Sequence, residues 1–81
     1  MIEVRVKLFA LARDIAGEEH QLALSDGSTA ADALSALLAK FPRLEEWKNH
    51  LRLAVNQEYA SPNDTLHHGD EVAVIPPVSG G

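Results

Sequence analysis

The sequence contains no cysteine, and this absence excludes both a disulfide framework and a zinc site built on cysteine ligands. The chain has 81 residues, of which 46% are hydrophobic, so it has apolar material for one small domain and not for two. A chain this short that lacks covalent cross-links must be held together by packing. We therefore predict one domain with a single core.

Long apolar runs are also absent. No segment is apolar enough to cross a bilayer, and the N-terminal residues alternate in charge and polarity, unlike a signal peptide. We therefore expect a cytoplasmic protein with no membrane partner.

Basic residues are few, since seven Lys and Arg stand against twelve Asp and Glu, for a formal net charge of −5. Their scatter along the chain argues against a nucleic-acid partner, and any phosphorylated substrate is expected to need a basic pocket on another protein.

The four histidines do not form a metal-binding pattern. His67 and His68 are adjacent and would point to opposite faces of a strand, whereas His20 and His50 lie far apart in the sequence. Glycine-rich phosphate-binding motifs are absent, and no serine has a histidine or acidic partner pattern that would activate it. We therefore predict neither a metal nor another cofactor bound by this chain, and no internal active site.

Strand and helix patterns alternate along the chain. The first strand has the clearest period-2 pattern, and the main helix begins with Thr29 and Asp32 in a capping-box arrangement and stops at Pro42. The predicted elements are a strand over 2–9, a short helix over 10–16 ended by Gly17, a strand over 20–24, the main helix over 29–41, a helical turn over 43–50, a strand over 51–55, a short edge strand over 58–60 and a last strand over 71–75.

This β-β-α-β-β-β order predicts an α+β fold in which a mixed β-sheet packs on one main helix. The first and last strands are the most hydrophobic, so we place them together in the centre, and the apolar run 72–75 predicts a last strand covered on both faces. Leu66 is expected to fill the core between loops. An apolar stripe on the main helix is also assigned to the core. Its members are Ala30, Leu34, Leu37, Leu38 and Phe41.

Two aromatic residues lie outside these patterns. Phe9 falls on the polar side of the first strand, where it either covers the sheet edge or a loop, or belongs to a partner-binding patch. Trp47, the sole tryptophan, is expected to pack over the rim of the core.

The C-terminal segment has a distinctive composition, with Pro76-Pro77 followed by Val78, Ser79 and a final Gly80-Gly81. Proline cannot continue a strand's hydrogen-bond ladder, so we predict a domain over 1–75 and a flexible tail over 76–81 that extends up to about 20 Å. Because glycine has no Cβ, a Gly-Gly end can pass through a channel too narrow for side chains. The tail is expected to present the carboxylate of Gly81; a frayed terminus is the alternative.

Three segments resemble motifs of the small subunit of molybdopterin synthase, and together they cover essentially the whole chain. The family commonly has a glutamate where this chain has Asp14, and often an aromatic residue where it has Ile75. The segments are Leu8-Phe9-Ala10 with Arg13-Asp14 and Gly17 (the opening motif), Ala54-Val55-Asn56 (the third-strand motif), and Gly69-Asp70-Glu71-Val72 through Gly81 (the C-terminal signature). The resemblance implies a ubiquitin-like β-grasp fold.

The resemblance also implies a mechanism for sulfur transfer. An adenylyltransferase of the ubiquitin-activating type would use ATP and magnesium to form an acyl-adenylate at Gly81, and a sulfur donor protein would then supply the sulfur that leaves a thiocarboxylate. The tail would deliver this sulfur to a pterin precursor in the large subunit of molybdopterin synthase, for molybdenum cofactor biosynthesis. The family forms a heterotetramer of two small and two large subunits. The chain would be no enzyme on its own.

By this resemblance, Gly81 is the reacting residue, and partner contacts come from the tail and two residues of the body. The predicted partner-binding residues are Phe9, Arg13, Ile75, Pro76, Pro77, Val78, Ser79 and Gly80. A surface ion pair is the alternative role for Arg13. Three alternative functions stay open: a sulfur carrier of the thiamine pathway, a ubiquitin-like protein modifier whose Gly81 joins a lysine, and a docking module without covalent chemistry.

Overall fold

Five strands form one mixed β-sheet in the computed structural model, which describes residues 1–76. The elements are β1 (Ile2–Leu8), α1 (Ala10–Ala16), β2 (Glu19–Leu24), α2 (Ala30–Lys40), a 3₁₀ helix (Pro42–His50), β3 (Arg52–Val55), β4 (Glu58–Tyr59) and β5 (Glu71–Ile75). The predicted β-β-α-β-β-β order is confirmed, with α2 as the main helix.

The strands lie in the order β2-β1-β5-β3-β4. The two central strands, β1 and β5, run parallel, whereas β2 pairs with β1, β3 with β5 and β4 with β3 in antiparallel fashion. The central placement of the first and last strands is therefore confirmed. Parallel neighbours need a long crossover connection, and α2 lies within it.

One face of the sheet, which we call the inner face, carries the core. Leu37 on α2, Leu44 on the 3₁₀ helix and Leu66 in the loop before β5 join the same buried cluster, so the prediction for Leu66 is confirmed. The strand residues of the inner face that are only 1% exposed are Val4, Val6, Leu8, Val72 and Val74.

Helix α2 begins at the predicted cap. The Thr29 backbone N–H donates to Asp32 Oδ2 at 2.9 Å, and the Asp32 N–H donates to Thr29 Oγ1 at 3.3 Å, which completes the capping box. Most of the predicted apolar stripe joins the core or packs against it. Leu34 is the exception, because it lies outside the core cluster and is only partly buried.

The turn after α1 also follows the prediction. Gly17 adopts φ 95°, a left-handed conformation that favours glycine, and its N–H donates to the Arg13 carbonyl at 2.8 Å. The expectation that β5 is covered on both faces is wrong. Ala73 and Ile75 are partly exposed, because the helices pack on the face that carries Val72 and Val74.

Candidate functional site

The face of the sheet opposite α2 holds a shallow depression of about 830 Å³, which we call the outer depression. Its floor includes the small side chains of Ala54 and Ala73, which leave space between taller neighbours. Phe9 and Tyr59 line it and are 47% and 74% exposed, and Ile75 at the end of β5 is partly exposed. An apolar floor beside exposed aromatic side chains is typical of a surface that binds another protein.

The position of Phe9 follows from the turn between β1 and α1. Its N–H donates to the Val74 carbonyl at 3.4 Å, and its own carbonyl accepts hydrogen bonds from Ala12 and Arg13 at 3.1 and 3.3 Å. These bonds fix the Phe9 backbone between β5 and the first turn of α1. Its half-exposed side chain lines the outer depression, and both roles proposed for it from the sequence stay predictions.

Tyr59 was not predicted as a site residue. It lies on β4, and its cross-strand partner is Ala54 on β3. Partners in an antiparallel pair share a face of the sheet, so Tyr59 follows Ala54 to the outer side. The sequence contained a signal for this position. Leu53 and Val55 are larger apolar residues on either side of Ala54, so an inward-facing pair at these positions places Ala54 on the outer face.

The turn that positions β4 is formed by Asn56 and Gln57. Both residues have positive φ, at 52° and 73°, as a two-residue hairpin turn of type I′ requires. The side chain of Asn56 also reaches across to the start of β5. Its Nδ2 donates to Asp70 Oδ1 at 3.0 Å, and its Oδ1 accepts from the Glu71 N–H at 3.1 Å. The third-strand motif and the C-terminal signature are therefore directly joined.

Asp70 is the second member of this link. Its side chain is only 14% exposed, and Oδ2 also accepts a hydrogen bond from the His67 backbone N–H at 2.8 Å. Burial by itself raises the pKa of Asp70, but the hydrogen bonds from the His67 backbone and the Asn56 amide favour the charged carboxylate, and the net pKa lies below its ordinary value. The carboxylate is thus held ionised as a fixed acceptor beneath the β3–β4 turn.

One ion pair lies in the outer depression. Lys7 Nζ is 3.4 Å from Glu71 Oε1, and the two side chains are 39% and 26% exposed. At such exposure the pair contributes less than about 1 kcal/mol to stability. With Glu18 and Glu19, which also line the depression, this pair gives an acidic margin to the apolar floor.

The structure brings together part of the predicted site. Phe9 and Ile75 both line the outer depression, whereas Arg13 is exposed on α1, does not line it, and makes no ion pair with another residue of the 1–76 range. Pro76 is buried. Pro77, Val78, Ser79, Gly80 and Gly81 lie outside the described residues, so the reacting group and the tail over 76–81 stay predictions.

Between residues 1 and 76, no group of three or more His, Asp or Glu side chains is placed to hold a metal ion. In the same range, no helix has both the length and the apolarity needed to cross a membrane.

Comparison with protein families and curated sequences places this chain among small carrier proteins. A model of the ThiS family matches residues 6–81. The molybdopterin synthase sulfur carrier subunit of Arabidopsis thaliana is 43% identical over 99% of this chain and 84% of that protein. Small archaeal modifier protein 1 of Haloferax volcanii is 38% identical over 93% of this chain and 97% of that protein.

Solved structures agree with this placement. A crystal structure of the same Haloferax volcanii modifier superposes with a TM-score of 0.89 at 33% identity, covering 98% of this chain and 99% of that chain. Subunit 1 in a complex of subunits 1 and 2 of the molybdopterin-converting factor from Helicobacter pylori is similar, with a TM-score of 0.71 at 28% identity, over 99% of this chain and 100% of the matched chain. A Caldiarchaeum subterraneum ubiquitin, at 14% identity and a TM-score of 0.68 over 99% of this chain and 98% of that chain, shares the fold alone and confirms the ubiquitin-like β-grasp architecture. The chain therefore belongs to the ThiS family, which confirms its resemblance to the small subunits of molybdopterin synthase.

Proposed function

We propose that this chain is the sulfur carrier subunit of a molybdopterin synthase. The observation that carries the proposal is the match to the Arabidopsis thaliana subunit, which runs through nearly all of this chain at 43% identity. The acidic composition supports the same role, because a chain with net charge −5 is suited to present a group to a basic partner rather than to bind an anionic pterin itself.

The chemistry of the carrier acts on Gly81. A carboxylate is a poor acyl donor, so the adenylyltransferase partner first joins it to the α-phosphate of ATP, with magnesium, and releases pyrophosphate. Sulfur at the sulfide level, supplied by a donor protein, then attacks the acyl carbon, displaces AMP and leaves the thiocarboxylate. Transfer of that sulfur to the pterin precursor in the large subunit, with water supplying the oxygen that replaces it, returns Gly81 as a carboxylate. This chain supplies only the acyl group, so it is no enzyme on its own.

The outer depression is the surface on which we place the large subunit. Phe9 and Tyr59 offer exposed aromatic rings of the type that dominates binding energy at interfaces, and each Å² of apolar area buried contributes roughly 25 cal/mol. Ile75 ends β5 at the border of the depression, so the last described residue, Pro76, lies next to this surface in the sequence. A partner seated there holds the body while its active site takes the tail.

Two of the predicted contacts have different roles in this arrangement. Pro76 is buried, so it acts by fixing the direction in which the chain leaves β5 rather than by presenting its ring. Arg13 is exposed on α1 outside the depression and supplies a peripheral polar contact. A mutation of Arg13 should therefore affect the association rate more than the lifetime of the complex. Assembly as a heterotetramer and a location in the cytoplasm complete the proposal.

The decisive test is the intact mass of this protein after incubation with an adenylyltransferase, ATP, magnesium and a sulfide source. We expect the shift that corresponds to replacement of one oxygen by sulfur, and no shift in a variant that lacks Gly81. The variant should keep the far-ultraviolet circular dichroism and unfolding midpoint of the parent. No shift with an activating enzyme that converts another carrier in parallel would overturn the proposal.

A second candidate function is protein modification, which is favoured by the 38% identity to the Haloferax volcanii modifier. In that case the activated Gly81 forms an isopeptide bond with a lysine of a target protein. The same reaction distinguishes the candidates, because a modifier produces adducts on lysines of added cell protein. Consumption of the thiocarboxylate by a thiamine-pathway enzyme, and not by the large subunit, would instead identify the thiamine carrier.

A further inference from the structure

A second apolar surface lies between α2 and the β3–β4 hairpin, and we call it the helix groove. Its volume is about 460 Å³. Leu34 and Leu38 line it from α2, Leu51 and Leu53 from the region of β3, and Lys48 and Arg52 add two cations to its lining. Tyr59 lines both the groove and the outer depression.

Leu34 is the first indication that the groove has an occupant. The helical spacing assigned this leucine to the core with its neighbours on α2. Leu37 belongs to the core cluster and Leu38 packs against it, but Leu34 does neither and stays partly buried on the groove wall. The helix thus presents a large apolar side chain that the packing of the domain does not need.

Charge gives the second indication. The chain has twelve acidic and seven basic residues, yet the groove lining contains two of the basic residues and no Asp or Glu. Lys48 pairs with Glu45 at 3.1 Å across an exposed turn. Arg52 is exposed and makes no ion pair with any other residue in the described range. On a chain that is acidic overall, the groove lining thus contains no carboxylate and has one cation, Arg52, that no ion pair within residues 1–76 engages.

We propose that the helix groove docks a peptide segment of a partner protein in which large apolar side chains are flanked by carboxylates. The apolar side chains pack on Leu34 and Leu38, and a carboxylate pairs with Arg52, whose planar guanidinium can hold both carboxylate oxygens. An open groove suits a length of chain, whereas a small ligand needs enclosure. Arg52 is the register partner of Ile75 and shares its face of the sheet, so its guanidinium is reached at the rim of the groove, and the docked segment runs toward the point where the chain leaves β5.

The test is a nuclear magnetic resonance titration of the full chain with a short synthetic peptide rich in leucine and glutamate. We expect amide shifts at Leu34, Leu38 and Arg52, with affinity in the millimolar range or tighter. Arg52→Glu should weaken binding about fivefold, because one ion pair is replaced by a repulsion. The matched control is Arg43→Glu, which makes the same charge change at an exposed position outside the groove lining.

Several outcomes would overturn the proposal. The first is an absence of shifts at millimolar peptide, and the second is equal weakening by the two charge reversals. Shifts confined to Phe9, Tyr59 and Ile75 would assign the peptide to the outer depression. In the free protein, Overhauser contacts from Val78 to Leu34 would identify the chain's own tail as the occupant, and groove shifts that grow with protein concentration would identify a second copy. The sulfur chemistry of Gly81 plays no part in this test.

Discussion

The two faces of β5 differ sharply although they are built from alternate residues of one short strand. Val72 and Val74 on the inner face are each 1% exposed and belong to the core. Ala73 and Ile75 on the other face are partly exposed and line the outer depression. Because side chains alternate along a strand, the five residues of β5 can contribute to the core on one face and to a binding surface on the other.

The comparison also explains which residue types each face uses. The inner face needs volume, since a close-packed core stabilises the fold through apolar area removed from water. The outer face needs a low floor between exposed rings, and Ala54 and Ala73 provide it. In β5, therefore, the alanine marks the face proposed for binding, and the valines mark the face that packs in the core.

The largest expected effect comes from placing the same charge on the two faces. Val74→Asp buries a carboxylate with no partner and should cost more than about 4 kcal/mol of unfolding free energy, enough to leave the chain largely unfolded. Ala73→Asp should fold, because its register partner Lys7 on β1 lies beside the new carboxylate. It should nevertheless weaken binding to the large subunit about tenfold or more, since a charge then occupies the apolar floor.

Urea unfolding followed by circular dichroism measures the first effect, and calorimetric titration with the large subunit measures the second. Val74→Ala is the matched control on the inner face and should cost roughly 2 kcal/mol without a charge. If Ala73→Asp bound the large subunit as tightly as the parent, the outer depression would not be the docking surface.

Local patterns explain why much of the fold could be predicted from the sequence. The capping box of Thr29 and Asp32, the left-handed Gly17 and the alternation in β1 depend on residues within a few positions of one another. The prediction of the site residues depended less on local patterns of this kind. Phe9 was found because it breaks an alternation, whereas Ile75 was found through the family resemblance of the C-terminal signature.

The residues that the sequence did not reveal depend on contacts between distant segments. Tyr59 lies on a strand of two residues, too short to show a period, and its face is fixed by pairing with Ala54. The hydrogen bond of Asn56 to Asp70 spans 14 residues. Leu34 has the helical spacing of the apolar stripe, but the core does not extend as far along α2 as the stripe does, so Leu34 lies outside it. In each case the deciding neighbour is set by the fold and not by local spacing.

An intermediate effect is expected at Asn56, whose side chain links the β3–β4 turn to the start of β5. Asn56→Ala removes two side-chain hydrogen bonds and places alanine at a positive φ, so we expect a loss of about 2 kcal/mol of unfolding free energy. The control is Gln57→Ala, at the next residue of the turn. It also has positive φ but makes no side-chain hydrogen bond within residues 1–76, and should change stability by less than about 0.5 kcal/mol. Equal losses in urea unfolding would contradict a specific role for the Asn56 side chain.

The smallest expected effect is the pH dependence of the same link, through Asp70. Its pKa is lower in the folded chain than its ordinary value, so its contribution to stability is fully present above about pH 4 and is lost as pH falls through the folded pKa. Asp70→Asn keeps the shape but removes the charge. The stability difference between parent and variant should thus be constant above about pH 5 and shrink below about pH 4. If the difference in unfolding free energy between parent and variant stayed constant into acid, the charge of Asp70 would not contribute to stability. The link between the β3–β4 turn and β5 would then depend on the shape of the side chain alone.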